Sequence, residues 1–179
     1  MRRIFVALKI SPKLQQCVAE WAARHYNFPV RWLAGKNLHI TLIPPWHATD
    51  ENIESTKEIL ENITRSSSPF PLLFHTLSFG PDPRRPRLIW AEGNAPRELL
   101  LLKSHLDIAL GPAEKRPFRL HLTLARFREE EFAHFPIKSL HEQVNWNELA
   151  NSLVLMESHL SPHGADYEIL AEFLLQPHE

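Results

Sequence analysis

Apolar and polar positions alternate from Arg3 to Lys9, the period of a strand with one buried face. Ser11-Pro12 then supplies an N-cap and a first-turn proline. Leu14, Val18, Trp21 and Ala22 recur at helical spacing to about Tyr26. Val30 to Leu33 and Leu38 to Ile43 predict two strands joined through Gly35-Lys36-Asn37, with Pro44-Pro45 expected to end the second. Thr49 or Asp50 caps a helix that carries Ile53, Ile59, Leu60 and Ile63 to about Arg65, and Ser66 to Pro69 is a loop. Phe70 to Phe79 and Arg87 to Glu92 are strand-like and bracket the turn-rich Gly80 to Pro86. Pro96 opens a helix with Leu99, Leu102 and Leu106, stopped by Gly111-Pro112. A strand falls within Arg116 to Phe127, and a short helix is expected over Glu129 to Phe135. Ser152 to Leu160 and Tyr167 to Leu175 read as an antiparallel pair across the turn Ser161 to Ala165.

Strand neighbours close enough for hairpins, interspersed with helices, predict an α+β chain with antiparallel sheets rather than a doubly wound parallel one. At 179 residues with 44% hydrophobic and 23% charged residues, the chain is expected to form one domain over 1–179, built as two lobes. The formal net charge of -1 excludes an overall basic field, so a partner with few phosphates fits better than a long polyanion. A single Cys17 excludes an internal disulfide. The opening Met1-Arg2-Arg3 and short apolar run do not fit a signal peptide, and no apolar run is long enough to span a bilayer. The expectation is a cytoplasmic monomer. Nine of the eleven histidines, His178 among them, are scattered without common spacing.

The other two histidines carry the chemistry. Leu38-His39-Ile40-Thr41-Leu42 and Leu120-His121-Leu122-Thr123-Leu124 are two copies of one His-x-Thr pattern, 82 positions apart (121 minus 39). In a strand, each copy places an imidazole and a hydroxyl on one face and leucine or isoleucine on the other. Facing each other, the copies frame a small site with two histidines and two hydroxyls. One imidazole can act as base while the other, protonated, acts as acid. The hydroxyls can donate to phosphate oxygens between them, which suits in-line displacement at phosphorus without a metal. Arg126 follows Thr123 by three, so on a regular strand it faces away from the site and reaches it only if the strand twists or ends there.

With these motifs the chain resembles the two-histidine (2H) phosphoesterase superfamily, and within it the RNA 2',3'-cyclic phosphodiesterases once described as 2'-5' RNA ligases. The resemblance extends over Arg3-Ile4-Phe5-Val6-Ala7-Leu8, Arg31-Trp32-Leu33, Arg85 to Trp90, Arg116-Pro117-Phe118, Ala125-Arg126, Glu157-Ser158, Ser161-Pro162, Gly164 and Tyr167-Glu168. It implies a bilobal fold: two antiparallel sheets with outer helices, and pseudo-two-fold symmetry around a central cleft. It also implies metal-free, cofactor-free hydrolysis of an RNA-terminal 2',3'-cyclic phosphate to a 2'-phosphate. His39 would protonate the leaving 3'-oxygen and His121 would activate water. Thr41, Thr123 and Arg126 would bind the phosphate. Two positions depart from the family pattern. Pro44 stands where relatives carry a phenylalanine, with Trp46 as the aromatic that could replace it for base stacking, and Leu120 stands where a proline is usual.

Three other readings remain at this stage. The same histidines could run RNA ligation in reverse, or the chain could be a non-catalytic RNA-end binding module. A zinc site could draw on the scattered histidines, although no His-x-His, His-Glu-x-x-His or cysteine pair is present. Arg84, Arg85 and Arg87 form a basic cluster suited to steering an RNA end.

Overall fold

The computed structural model describes residues 1–111 and 116–177. Pro112, expected to help stop a helix, and His178 lie outside the described residues. In chain order the elements are β1 (Arg2–Lys9), α1 (Pro12–Arg24), β2 (Arg31–Trp32), β3 (His39–Ala48), α2 (Asp50–Arg65), β4 (Phe70–Gly80), β5 (Leu88–Gly93), α3 (Arg97–Leu110), β6 (Leu120–Arg126), β7 (His141–Ala150), β8 (Ser152–Ser161) and β9 (Gly164–Leu174), with 3-10 turns at Gly35–Asn37 and Glu129–His134. Local chemistry sets the helix ends. The Ser11 hydroxyl accepts from Leu14 N and the Thr49 hydroxyl from Asn52 N, while Gly111 closes α3 at a φ of 111° that favours glycine.

The strands form two antiparallel sheets, β3-β1-β8-β9 and β2-β6-β5-β4-β7. Apart from β2 the two orders correspond: a His-x-Thr strand, β3 or β6, then three further strands outward. The two motif strands lie next to each other where the sheets meet. This is the predicted α+β architecture, with each lobe repeating the other's order.

One hydrophobic core joins the lobes. Ile4, Val6 and Leu8 of β1 pack in it with Phe74 and Leu77 of β4, Leu122 and Leu124 of β6, and the buried leucines of α3. The opposite face of β1 presents Phe5 and Ala7 to a separate small cluster with Val154, Met156 and Tyr167. That second face is the one turned to the motif histidine of β3, because His39 stacks obliquely on Phe5.

Two expectations are corrected. β3 does not end at Pro44-Pro45 but runs on to Ala48. It is an edge strand, and the two prolines sit in a bulge opposite Phe5, between the pairs Val6↔Ile43 and Ile4↔Trp46, where the ladder needs no donor from them. The sequence reading also passes over β7. Its inward positions are Glu142, Val144, Trp146, Glu148 and Ala150, and the two carboxylates disguise the alternation. They are inside because α1 and its N-cap supply their partners: Glu142 accepts from Trp21 Nε1 at 3.0 Å and Glu148 from Ser11 N at 2.7 Å.

Candidate active site

His39 and Thr41 share one face of β3, where they pair with Lys9 and Ala7. His121 and Thr123 share one face of β6, paired with Glu92 and Trp90. Each strand then carries a one-residue bulge directly after its threonine. On β3, Leu42 has no partner between Thr41↔Ala7 and Ile43↔Val6. On β6, Leu124 has none between Thr123↔Trp90 and Ala125↔Ile89. The bulge shifts the face of all that follows. Arg126, out of phase with Thr123 on a regular strand, pairs with Leu88 and so lies on the same face as Trp90 and Thr123. The corresponding position on β3 is Pro44.

Both imidazoles are oriented alike. His39 Nδ1 donates to the carbonyl of Asn37 at 2.7 Å, and His121 Nδ1 to the carbonyl of Arg119 at 2.9 Å. A carbonyl only accepts, so each Nδ1 carries a proton and each neutral ring keeps its Nε2 lone pair for the cleft. Aromatic rings fix the planes: Phe5 and Tyr167 lie 4.9 and 5.0 Å from His39, and Trp90 lies 4.8 Å from His121. Burial pushes the His39 pKa down to about 4, and the charges of Arg126 and His121 push the same way. Burial also lowers His121, with Glu92 partly opposing it. The Arg126 charge is felt by both rings, so it lies within electrostatic reach of both motifs.

A polar relay that the sequence reading missed braces His121. Trp90 Nε1 donates to Ser78 Oγ at 2.8 Å, and Ser78 donates to Glu92 at 2.7 Å. Glu92 pairs with Arg119, whose guanidinium lies 4.9 Å over the Trp90 ring. Arg119 in turn supplies the carbonyl that holds His121. Gly80 makes room for this, since a Cβ there would come within 2.4 Å of Trp90. The sequence signal was the stretch Arg87 to Glu92 beside a glycine, which reads as an ordinary strand end. On the other motif, Asn37 is buried, and its side-chain oxygen accepts from Tyr167 N at 3.3 Å, tying His39 to β9.

Cavities flank the motif strands. One of about 690 Å³ is lined by Thr41, His121, Pro44, Trp90 and Phe118, with the Lys103–Asp107 ion pair in its wall. Another of about 530 Å³ is lined by Arg3, Arg31, Asn37, Arg126 and Tyr167. Trp46 is not brought to the cleft. It pairs with Ile4 and packs against the main core on the opposite face of the sheet. The aromatic residues lining the cavity with Thr41 and His121 are Trp90 and Phe118.

Among the described residues, one of the scattered histidines, His163, lines the cavity with Asn37, Arg126 and Tyr167. Among the described residues, His159 comes together with Glu157 and Glu168, their donor atoms within 4.8 Å of one another, but Glu157 is already hydrogen-bonded to Arg2. Arg85, from the expected steering cluster, is paired with Glu129. Among the described residues no helix is long and apolar enough to cross a membrane.

Residues 7–90 match the family model for LigT-like phosphoesterases. The chain is 30% identical over 152 residues to the RNA 2',3'-cyclic phosphodiesterase of Bacillus subtilis (strain 168), covering 81% of this chain and 80% of that one. Its fold matches the crystal structure of TT0787 of Thermus thermophilus with a TM-score of 0.81 at 22% identity, over 97% of each chain. It matches E. coli LigT complexed with 3'-AMP with a TM-score of 0.77 at 23% identity, over 98% of this chain and 99% of that one. Two matched sheets, a duplicated His-x-Thr strand at their junction and a relative this similar over four-fifths of both chains place the protein in the LigT-like branch of the two-histidine phosphoesterases.

Proposed function

We propose that the protein hydrolyses RNA-terminal 2',3'-cyclic phosphates to 2'-phosphates, with the two motif histidines as acid and base and without a metal ion. The observation that carries the reading is the paired geometry: two imidazoles with Nδ1 locked on carbonyls and Nε2 free, each beside a threonine hydroxyl, with Arg126 turned to the same cleft. The name of the Bacillus subtilis relative supports the substrate.

The cyclic phosphate lies between the motifs. Thr41, Thr123 and Arg126 donate to its non-bridging oxygens. His121 Nε2 removes a proton from water as the water oxygen attacks phosphorus opposite the 3'-oxygen. The P–O3' bond breaks, His39 gives its Nε2 proton to that oxygen, and a 2'-phosphomonoester and a 3'-hydroxyl result. His39 is neutral in the empty cleft near pH 7, so its role as acid depends on the substrate: an anion between the rings raises the proton affinity of both. The cavity with Trp90 and Phe118 takes the terminal base, since stacking needs only an aromatic face.

The test is hydrolysis of adenosine 2',3'-cyclic phosphate and of a short RNA with the same end, in EDTA, with 2'- and 3'-phosphate products separated. The expected product is the 2'-phosphate at an undiminished rate in EDTA. Abolition by EDTA, or a 3'-phosphate product, overturns this mechanism.

A further inference from the structure

A third cavity, of about 920 Å³, has Arg126 in its wall but none of the motif histidines or threonines. It opens beside the cleft and shares Pro81 and Leu88 with the cavity that holds Thr41 and His121, and Arg31 and Arg126 with the cavity beside Tyr167. Four arginines line it: Arg31, Arg87, Arg126 and Arg128. The carboxylate among its lining residues, Glu131, accepts from the backbone N–H of Arg128 at 2.6 Å and lies 3.4 Å from the Arg128 guanidinium, while Arg31 donates to the His163 carbonyl at 3.2 Å. Among the described residues, neither Arg87 nor Arg126 has a carboxylate within ion-pair distance. The backbone on either side of the Arg87 side chain is pinned, its N–H to the Gly80 carbonyl at 2.8 Å and its carbonyl to the Phe127 N–H at 3.0 Å. In a chain of formal net charge -1 this is a local concentration of cations.

A mononucleotide has one phosphate, which the motif groups already hold. Arginines continuing beyond that point, Arg87 without an ion pair and Arg128 in an exposed one, match phosphates farther along a strand. We infer that this trough binds the sugar-phosphate backbone of single-stranded RNA on the 5' side of the cyclic end, so that the preferred substrate is an oligonucleotide rather than a mononucleotide. The inference rests on the hydrolase reading for its substrate and adds where the rest of that substrate lies.

The experiment compares adenosine 2',3'-cyclic phosphate with a ten-nucleotide single-stranded RNA bearing the same end, using wild type and the double variant Arg87→Gln with Arg128→Gln. Wild type is expected to show a KM for the RNA about tenfold or more below that for the mononucleotide at low salt. The double variant raises the RNA KM by about tenfold and leaves kcat and the mononucleotide KM unchanged. The log–log salt dependence of RNA binding becomes shallower by about 1.4, since each phosphate contact on a single strand contributes about 0.7. Equal KM values for both substrates in wild type, or a variant that raises both alike, overturns the inference. If wild type turns over neither substrate, the hydrolase reading has failed separately. Fluorescence anisotropy with a 3'-phosphorylated RNA of the same length then decides the trough: weakened binding in the double variant supports it, and unchanged binding overturns it.

Discussion

The two histidines are prepared by identical local means and differ in their electrostatics. Each Nδ1 is held by the carbonyl two residues upstream, a geometry that follows from His-x-Thr on a strand edge. His39 is depressed to about 4, mostly by burial, and His121 is depressed with Glu92 as a partial counterweight. The proposed acid–base step needs one ring protonated and the other neutral. At low pH both rings are protonated and no base remains, and above the usual histidine value of 6.5 both are neutral and no acid remains. Between those limits the free pair holds one proton, and the form that carries it on His39, pushed down to about 4, is a minor one whose share is greatest in that same window, so kcat/KM, which reports the free enzyme, is expected to peak below pH 6.5. The bound cyclic phosphate is an anion and raises both pKa values, so the kcat profile lies at higher pH than that of kcat/KM. Rate profiles from pH 4 to 9 check this, and a kcat/KM maximum above pH 7 contradicts it.

At the scale of the element, the bulge decides which side chains reach the cleft. The motifs were legible as period-two patterns, and both landed on paired strands. What period two could not show is the extra residue after each threonine, which turns Arg126 toward the site. The same effect misled the reading of β3. Two bulges in that strand leave Trp46 opposite Ile4 on the core side, packed against the main core. Bulges depend on partner strands distant in sequence, so single-strand periodicity does not report them. β7 was hidden for another reason: its inward carboxylates take partners from α1 and its N-cap, more than a hundred residues upstream. Trp46→Ala is expected to destabilise the protein by roughly 1–3 kcal/mol through lost packing while leaving KM unchanged. Phe118→Ala is expected to raise KM about tenfold, the scale of one lost base stack, beside a packing loss of the same order because its ring also rests on the core. Urea unfolding and steady-state kinetics on the two variants check both, and a KM effect confined to Trp46→Ala would restore it as the base platform.

At the scale of the molecule, the lobes repeat each other's strand order but do not have separate cores. The terminal sheet contains both the first strand and the last two, and Ile4, Val6 and Leu8 share a cluster with residues of the other sheet and of all three helices. The tail is tied down as well: Leu175 is buried and Gln176 N donates to the Ser67 carbonyl at 2.9 Å. The lobes are therefore expected to unfold as one unit over the whole chain. Urea transitions followed by tryptophan fluorescence and by far-UV circular dichroism should coincide at one midpoint. Two resolved transitions would mean independently stable lobes. The duplication itself was visible only as two motif copies and an alternation of elements. The correspondence of strand orders emerges from pairings across the chain, such as β1 with β8, that no local pattern encodes.

The central claim is that His39 and His121 work as one acid–base pair across the junction of the sheets. The measurement that reaches it most directly is a single-turnover comparison of wild type, His39→Ala, His121→Ala and the double variant on an RNA ending in 2',3'-cyclic phosphate. Groups that act in one step are non-additive, so each single variant should lose about 10³-fold or more, and the double variant should be little slower than the worse single. Near-wild-type turnover by either single variant, or losses that simply multiply in the double, would contradict the account.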